Sequence, residues 1–140
     1  MRNKAMKKGQ PSRSGTWTRA GARSDQLRRE VTRRGDELLA RKFGPLLAHE
    51  TGMRKHGFNY AVAVFSKWRG QSYYWCVRYR TPEPAEEFVV ASTRLEYAGQ
   101  GRFHVAYFRH TDRWQPVYHG LTPDECFETI EQEEIFWPLT

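Results

Sequence analysis

Between Trp68 and Arg80 the chain interleaves aromatic rings with guanidinium groups: Trp68, Arg69, Tyr73, Tyr74, Trp75, Arg78, Tyr79 and Arg80. Exposed rings flanked by cations stack unpaired nucleobases while the cations meet phosphates, each stacked base contributing ~1–3 kcal/mol. Rings in strands also serve as core and cross-strand packing, so one face of this stretch must be buried. Trp68, Arg69, Tyr74, Arg78 and Arg80 are the candidate nucleic-acid contacts taken from it. The run lacks the ring-and-glycine signature of an RNA recognition motif.

A second set of cations comes earlier. Residues 1–34 carry eleven Lys and Arg against Asp25 and Glu30, whereas residues 35–140 carry twelve against fourteen Asp and Glu. The formal net charge of +7 therefore belongs to the front of the chain. Arg2, Lys4, Lys7, Lys8, Arg13, Arg19 and Arg23 are spaced by Gly, Ser and Pro, a pattern that can track a phosphate backbone and release its counterions. Trp17 sits among them with a ring to stack on a base, and Arg28, Arg29, Arg33 and Arg34 carry the basic character onward. No sequence-reading motif accompanies these charges, so the attraction they predict is to polyanions in general.

His104, His110 and His119, with Tyr107, Arg109 and Arg113, are the residue types of metal-independent RNA cleavage. That chemistry needs a proton acceptor, a proton donor and a cation on the phosphate. His104 and His110, six residues apart on one strand, stand about 20 Å from each other and cannot share a metal. His110 and His119 can approach across the Thr111–Arg113 turn, but no third ligand accompanies them, so no zinc site is read. Glu83, Glu86, Glu87 and Glu96 form no carboxylate pair with an adjacent lysine, as a two-metal nuclease requires. Phosphate-binding loop, dinucleotide fingerprint and nucleophile elbow are missing from the sequence. No metal, no cofactor and no catalytic residue is expected. Cys76 and Cys126 fit neither a metal motif nor a disulfide framework and read as buried thiols of a reducing cytoplasm. Met1–Arg23 lacks the apolar stretch of a secretory signal, and no apolar run is long enough to span a bilayer. A soluble cytoplasmic protein with no membrane partner is expected.

Positioning these groups falls to a helix, a sheet and a second helix. Residues 1–23 hold too few apolar side chains to offset chain entropy and are expected to form a flexible basic arm. Residues 24–140 are expected to form one domain. Ser24 is a good N-cap, and Leu27, Val31, Leu38, Leu39 and Phe43 follow at helical spacing until Gly44-Pro45, with Gly35 as a flaw. Pro45–Glu50 adds one short turn. Period-two patterns then predict strands at Phe58–Trp68, Ser72–Arg80, Glu87–Tyr97, Arg102–His110 and Trp114–His119, the last at an edge because of Pro116. Thr122-Pro123-Asp124-Glu125 is a capping box opening a helix over 123–134, and Ile135-Phe136-Trp137 closes the core. The fold class is α+β: an antiparallel four- to five-stranded sheet flanked by an N-terminal and a C-terminal helix, preceded by a disordered basic arm.

Tyr107-Phe108-Arg109-His110 and Trp114 precede a short acidic helix that ends on the plug Ile135-Phe136-Trp137. In this the segment Arg102–Pro138, about a quarter of the chain, resembles the C-terminal part of a family of small bacterial proteins of unknown function. The resemblance implies the α+β fold and no activity, and it leaves the basic arm outside. The leading expectation is a non-enzymatic nucleic-acid-associated protein. The alternatives are a protein-interaction or homo-oligomerisation module, whose apolar sheet face meets a partner or a second copy, and a small metal-independent ribonuclease.

Overall fold

The computed structural model describes residues 15–49, 59–109 and 111–138, with backbone alone for residues 15–24, 46, 48 and 49. Arg2, Lys4, Lys7, Lys8 and Arg13 of the expected arm, and His110, lie outside the described residues. The chain divides into two compact units, Met1–Val31 and Thr32–Thr140.

In the first unit the described residues belong to helix α1, Gly15–Lys42, which continues into the second. The helix thus begins nine residues before Ser24, in a stretch expected to belong to the flexible arm. The reason is the low cost of lengthening an existing helix. Arg19, Ala20, Ala22 and Arg23 are good helix formers, no proline interrupts them, and a Ser24 cap is worth only ~1 kcal/mol.

In the second unit α1 ends at Lys42, as Gly44-Pro45 requires, and a 3-10 helix follows at Gly44–His49. Strands β1 (Tyr60–Arg69), β2 (Ser72–Arg80), β3 (Glu87–Gly99), β4 (Arg102–Phe108) and β5 (Trp114–Leu121) form one sheet in the order β1-β2-β3-β4-β5. Each pairs antiparallel with its sequence neighbours, so the α+β architecture with its antiparallel sheet and two helices stands as expected. Pro116 lies on the edge strand β5, where a missing N–H is tolerated. Gly70, at φ 61°, turns β1 into β2 in a conformation that glycine adopts without steric cost.

Helix α2, Pro123–Gln132, opens with the expected capping box: the Glu125 amide donates to Thr122 Oγ1, and the Thr122 amide donates to the Glu125 carboxylate. It stops two residues short of the expected end because Glu133 is extended, and a short 3-10 helix follows at Glu134–Phe136. Trp137 Nε1 donates to the Ile130 carbonyl at 2.8 Å and Thr93 Oγ1 donates to that of Phe136, fastening this turn to the core.

Register assigns the residues to faces. Trp68, Tyr73, Leu95, Val105 and Tyr118 form one row across the strands, and Ser66, Trp75, Thr93, Tyr107 and Gln115 form the next. This face meets the part of α1 from Thr32, helix α2 and the C-terminal turn. Phe43 packs edge-on against Trp75 and Trp137, Phe127 against Tyr73, and Phe136 against Tyr107. Leu38, Leu39, Ile130, Val77 and Leu95 complete the buried core. Asp36 accepts from Tyr73 Oη at 2.9 Å and also from Ser66 Oγ, and Tyr73 Oη accepts from Trp75 Nε1 at 3.3 Å. A Cβ on Gly35 would lie 2.0 Å from Tyr73 Oη, so the apparent flaw in the helix is the gap that admits this ring. In β1 strict alternation fails, because Val62 is an extra residue between the paired Ala61 and Ala63. Ala61 and Val64 therefore share the helix-facing side through their partners Tyr79 and Val77.

Candidate functional site

The opposite face of the sheet is built by the alternate residues of the same strands. Lys67, Tyr74, Arg94, Ala106 and Pro116 form one row across it, and Arg69, Ser72, Glu96 and His104 form another. Its ring contacts run from strand to strand: Trp114 lies 5.6 Å from Tyr74 and 5.3 Å from Phe108 between centroids. The Arg94 guanidinium carbon stands 4.9 Å from the centre of the Trp114 ring, and that of Arg78 stands 5.1 Å from Phe65. Tyr74, Trp114 and Arg94 are half-buried, while Lys67 and Arg69 are exposed. A ring cluster edged by cations on a sheet surface can stack bases and bind anions.

The sequence-derived residues separate in this geometry. Tyr74, Arg69 and Arg78 belong to the open face. Arg78 and Arg80 both turn to Glu87, Arg80 Nη2 at 2.5 Å and Arg78 Nε at 3.9 Å, so one carboxylate offsets much of their charge. Trp68 faces the other way, toward the helices, where its Nε1 donates to Thr32 Oγ1 at 2.8 Å and its ring tilts against Tyr73. Arg34 pairs with Asp124 and lies 5.6 Å over the Phe127 ring, tying α1 to α2. Arg33 forms a loose pair with Glu37 at 4.0 Å. In the first unit Trp17, Arg19 and Arg23 are placed by backbone on α1, as are Arg28 and Arg29, of which Arg29 is exposed.

Sequence reasoning missed Arg94, Trp114, Phe108, Phe65 and Lys67. Their partnership depends on cross-strand register, and the only signal for it is parity counted from Tyr74. That count fails where Ser92 is inserted opposite the Trp75–Cys76 step.

The histidine that meets His119 is His104, their rings edge-to-face at 4.9 Å. The Gly120 amide donates to His104 Nδ1 at 3.1 Å. His110, the other member of the expected pair, lies outside the described residues. Among the described residues no three His, Cys, Asp or Glu side chains cluster to hold a metal. Burial, with a smaller contribution from the Glu125 charge, pushes the Cys126 thiol up to about 12, and burial also raises that of Cys76. Neither supplies a thiolate near neutral pH. Among the described residues no helix is long and apolar enough to cross a membrane.

Residues 13–138 match the family described as a domain of unknown function, DUF3024. No curated protein and no solved structure matches the chain. The expected kinship with an uncharacterised family therefore holds, but its extent is corrected. The match covers most of the chain rather than the quarter Arg102–Pro138, and it takes in Arg13, Trp17, Arg19 and Arg23 of the basic segment expected to fall outside. With nearly its whole length matched, the chain belongs to the DUF3024 family.

Proposed function

We propose that this protein is a non-enzymatic nucleic-acid-associated protein of the cytoplasm. In this reading the cations of residues 1–34 supply a salt-sensitive grip on phosphates, and the open sheet face supplies stacking. The observation that carries it is the row Lys67, Tyr74 and Arg94 beside Trp114, a cation-ring-cation series on three adjacent strands, away from the helices. A cytoplasmic setting agrees with two buried, unpaired cysteines.

Fluorescence anisotropy on the full-length protein with labelled oligouridylate tests the reading. Replacing Arg2, Lys4, Lys7, Lys8 and Arg13 by glutamine is expected to flatten the salt dependence, by about 0.7 in log–log slope for each phosphate that is no longer neutralised. Replacing Trp114 by alanine is expected to weaken binding by ~1–3 kcal/mol with the slope retained. Binding that persists unchanged into high salt would refute the electrostatic part. No binding at all would refute the function.

A second reading, an interaction or homo-oligomerisation surface, is favoured by one feature. Phe88, Val89 and Ile135 are 40%, 46% and 50% exposed, apolar area that a partner could cover. Sedimentation that finds a monomer at all concentrations would remove self-association.

A further inference from the structure

Arg94 differs from Arg78 and Arg80, its arginine neighbours on β2. Arg78 and Arg80 have Glu87. No described carboxylate pairs with Arg94; Glu96, next along β3 on the same face, makes no ion pair with it. Among the described residues its buried Nε has no hydrogen-bond partner. The guanidinium is held under the Trp114 ring, with Tyr74 across one strand pair and Ala106 across the other. A buried Nε–H without a partner is a cost to the free protein that the ring contact offsets only in part, while the rest of the half-buried guanidinium stays within reach of solvent. Such an arrangement is completed by an anion arriving from outside.

Resting on the nucleic-acid reading above, we infer that Arg94 is the phosphate-binding residue of a single-strand site in which a base stacks on the Trp114–Tyr74 rings. Arg94 sits at the sheet surface among those rings, so a phosphate reaches it when its base lies flat beside it. Bases inside a duplex offer their edges and keep their faces stacked on one another, which excludes that approach. Lys67, one strand beyond Tyr74 and about 10 Å from Arg94 at ordinary strand spacing, is placed for a neighbouring phosphate. Arginine suits the first position because its planar fork both stacks and donates in pairs.

The test compares full-length wild type, Arg94→Met, Arg94→Lys and the glutamine-substituted arm, against labelled oligouridylate and a labelled mixed-sequence duplex, with thermal unfolding of each free protein. Wild type is expected to prefer the single strand. Arg94→Met is expected to lose about ten- to hundredfold in single-strand affinity while duplex binding stays the same. Its free form is expected to melt higher than wild type, because the unpaired donor is gone. Arg94→Lys, which keeps the charge without the fork, is expected to lose single-strand affinity as well. Unchanged single-strand binding by both Arg94 variants, with binding lost in the arm variant, would overturn this inference and leave the nucleic-acid reading standing. A lowered melting temperature in Arg94→Met would overturn it too, by showing that Arg94 supports the fold. Absence of binding by wild type to either probe would overturn the reading on which it rests.

Discussion

The two faces of the sheet are made of similar side chains that end in different states. On the helix-covered face Trp68, Tyr73, Trp75 and Thr93 each find a hydrogen-bond partner, and Trp137 above them does so as well. On the open face the buried Nε of Arg94 finds none among the described residues, and the Trp114 ring packs against Tyr74, Phe108 and the Arg94 guanidinium. Native interiors satisfy their polar atoms almost completely. Hydrogen bonding at the buried polar atoms, rather than the presence of aromatic residues, therefore distinguishes the two faces at Arg94.

The largest expected effect tests that contrast directly. Trp75→Ala, at 1% exposure, is expected to cost ~3–5 kcal/mol in urea unfolding, a large part of the stability of a domain this size. Trp114→Ala on the open face is expected to cost no more than ~1 kcal/mol. Comparable losses at the two positions would erase the distinction between the faces.

Gly35→Ala comes next. Alanine is favoured over glycine in a helix by ~1 kcal/mol, so the substitution should stabilise α1 if only local propensity mattered. The added methyl would strike the Tyr73 hydroxyl and ring and force apart the Asp36–Tyr73–Trp75 chain. A net loss of ~1–3 kcal/mol is expected from such overpacking, and a gain in unfolding midpoint would show that the covered face is looser than described.

The smallest effect concerns the cap of α2, one of the elements covering that face. The Thr122 amide, donating to the Glu125 carboxylate, holds its pKa below the ordinary carboxylate value, despite some opposition from desolvation. A carboxylate with a lowered folded pKa contributes stability that is present above its unfolded pKa and lost as pH falls through the folded one. Glu125→Ala should therefore lower the urea midpoint at neutral pH, with the gap to wild type narrowing toward strongly acid solution. A gap independent of pH would mean that the carboxylate charge contributes nothing to the cap.

Much of the fold was legible because its signals are local. Gly44-Pro45 ends α1, Thr122-Pro123-Asp124-Glu125 starts α2, and Pro116 marks an edge, each acting within a few residues of itself. Strand periodicity with short turns likewise announced a meander of hairpins. The helix start at Gly15 was not legible, since a plausible cap at Ser24 competes with cheap elongation and the residues themselves do not decide between them.

The candidate site was legible only in part, and for a different reason. The sequence by itself determined that rings and cations are interleaved on β2 and that the front of the chain is basic. Only the tertiary structure decided which of them meet. Hairpin register turns Trp68, paired with Tyr73, toward Thr32 and sets Arg94, paired with Tyr74, beneath Trp114 from a strand twenty residues away, while bulges at Val62 and Ser92 reset the alternation of β1 and β3 beyond them. Composition and periodicity describe neighbours along the chain, whereas a face of a sheet is made of neighbours across it, and one inserted residue exchanges its inside for its outside.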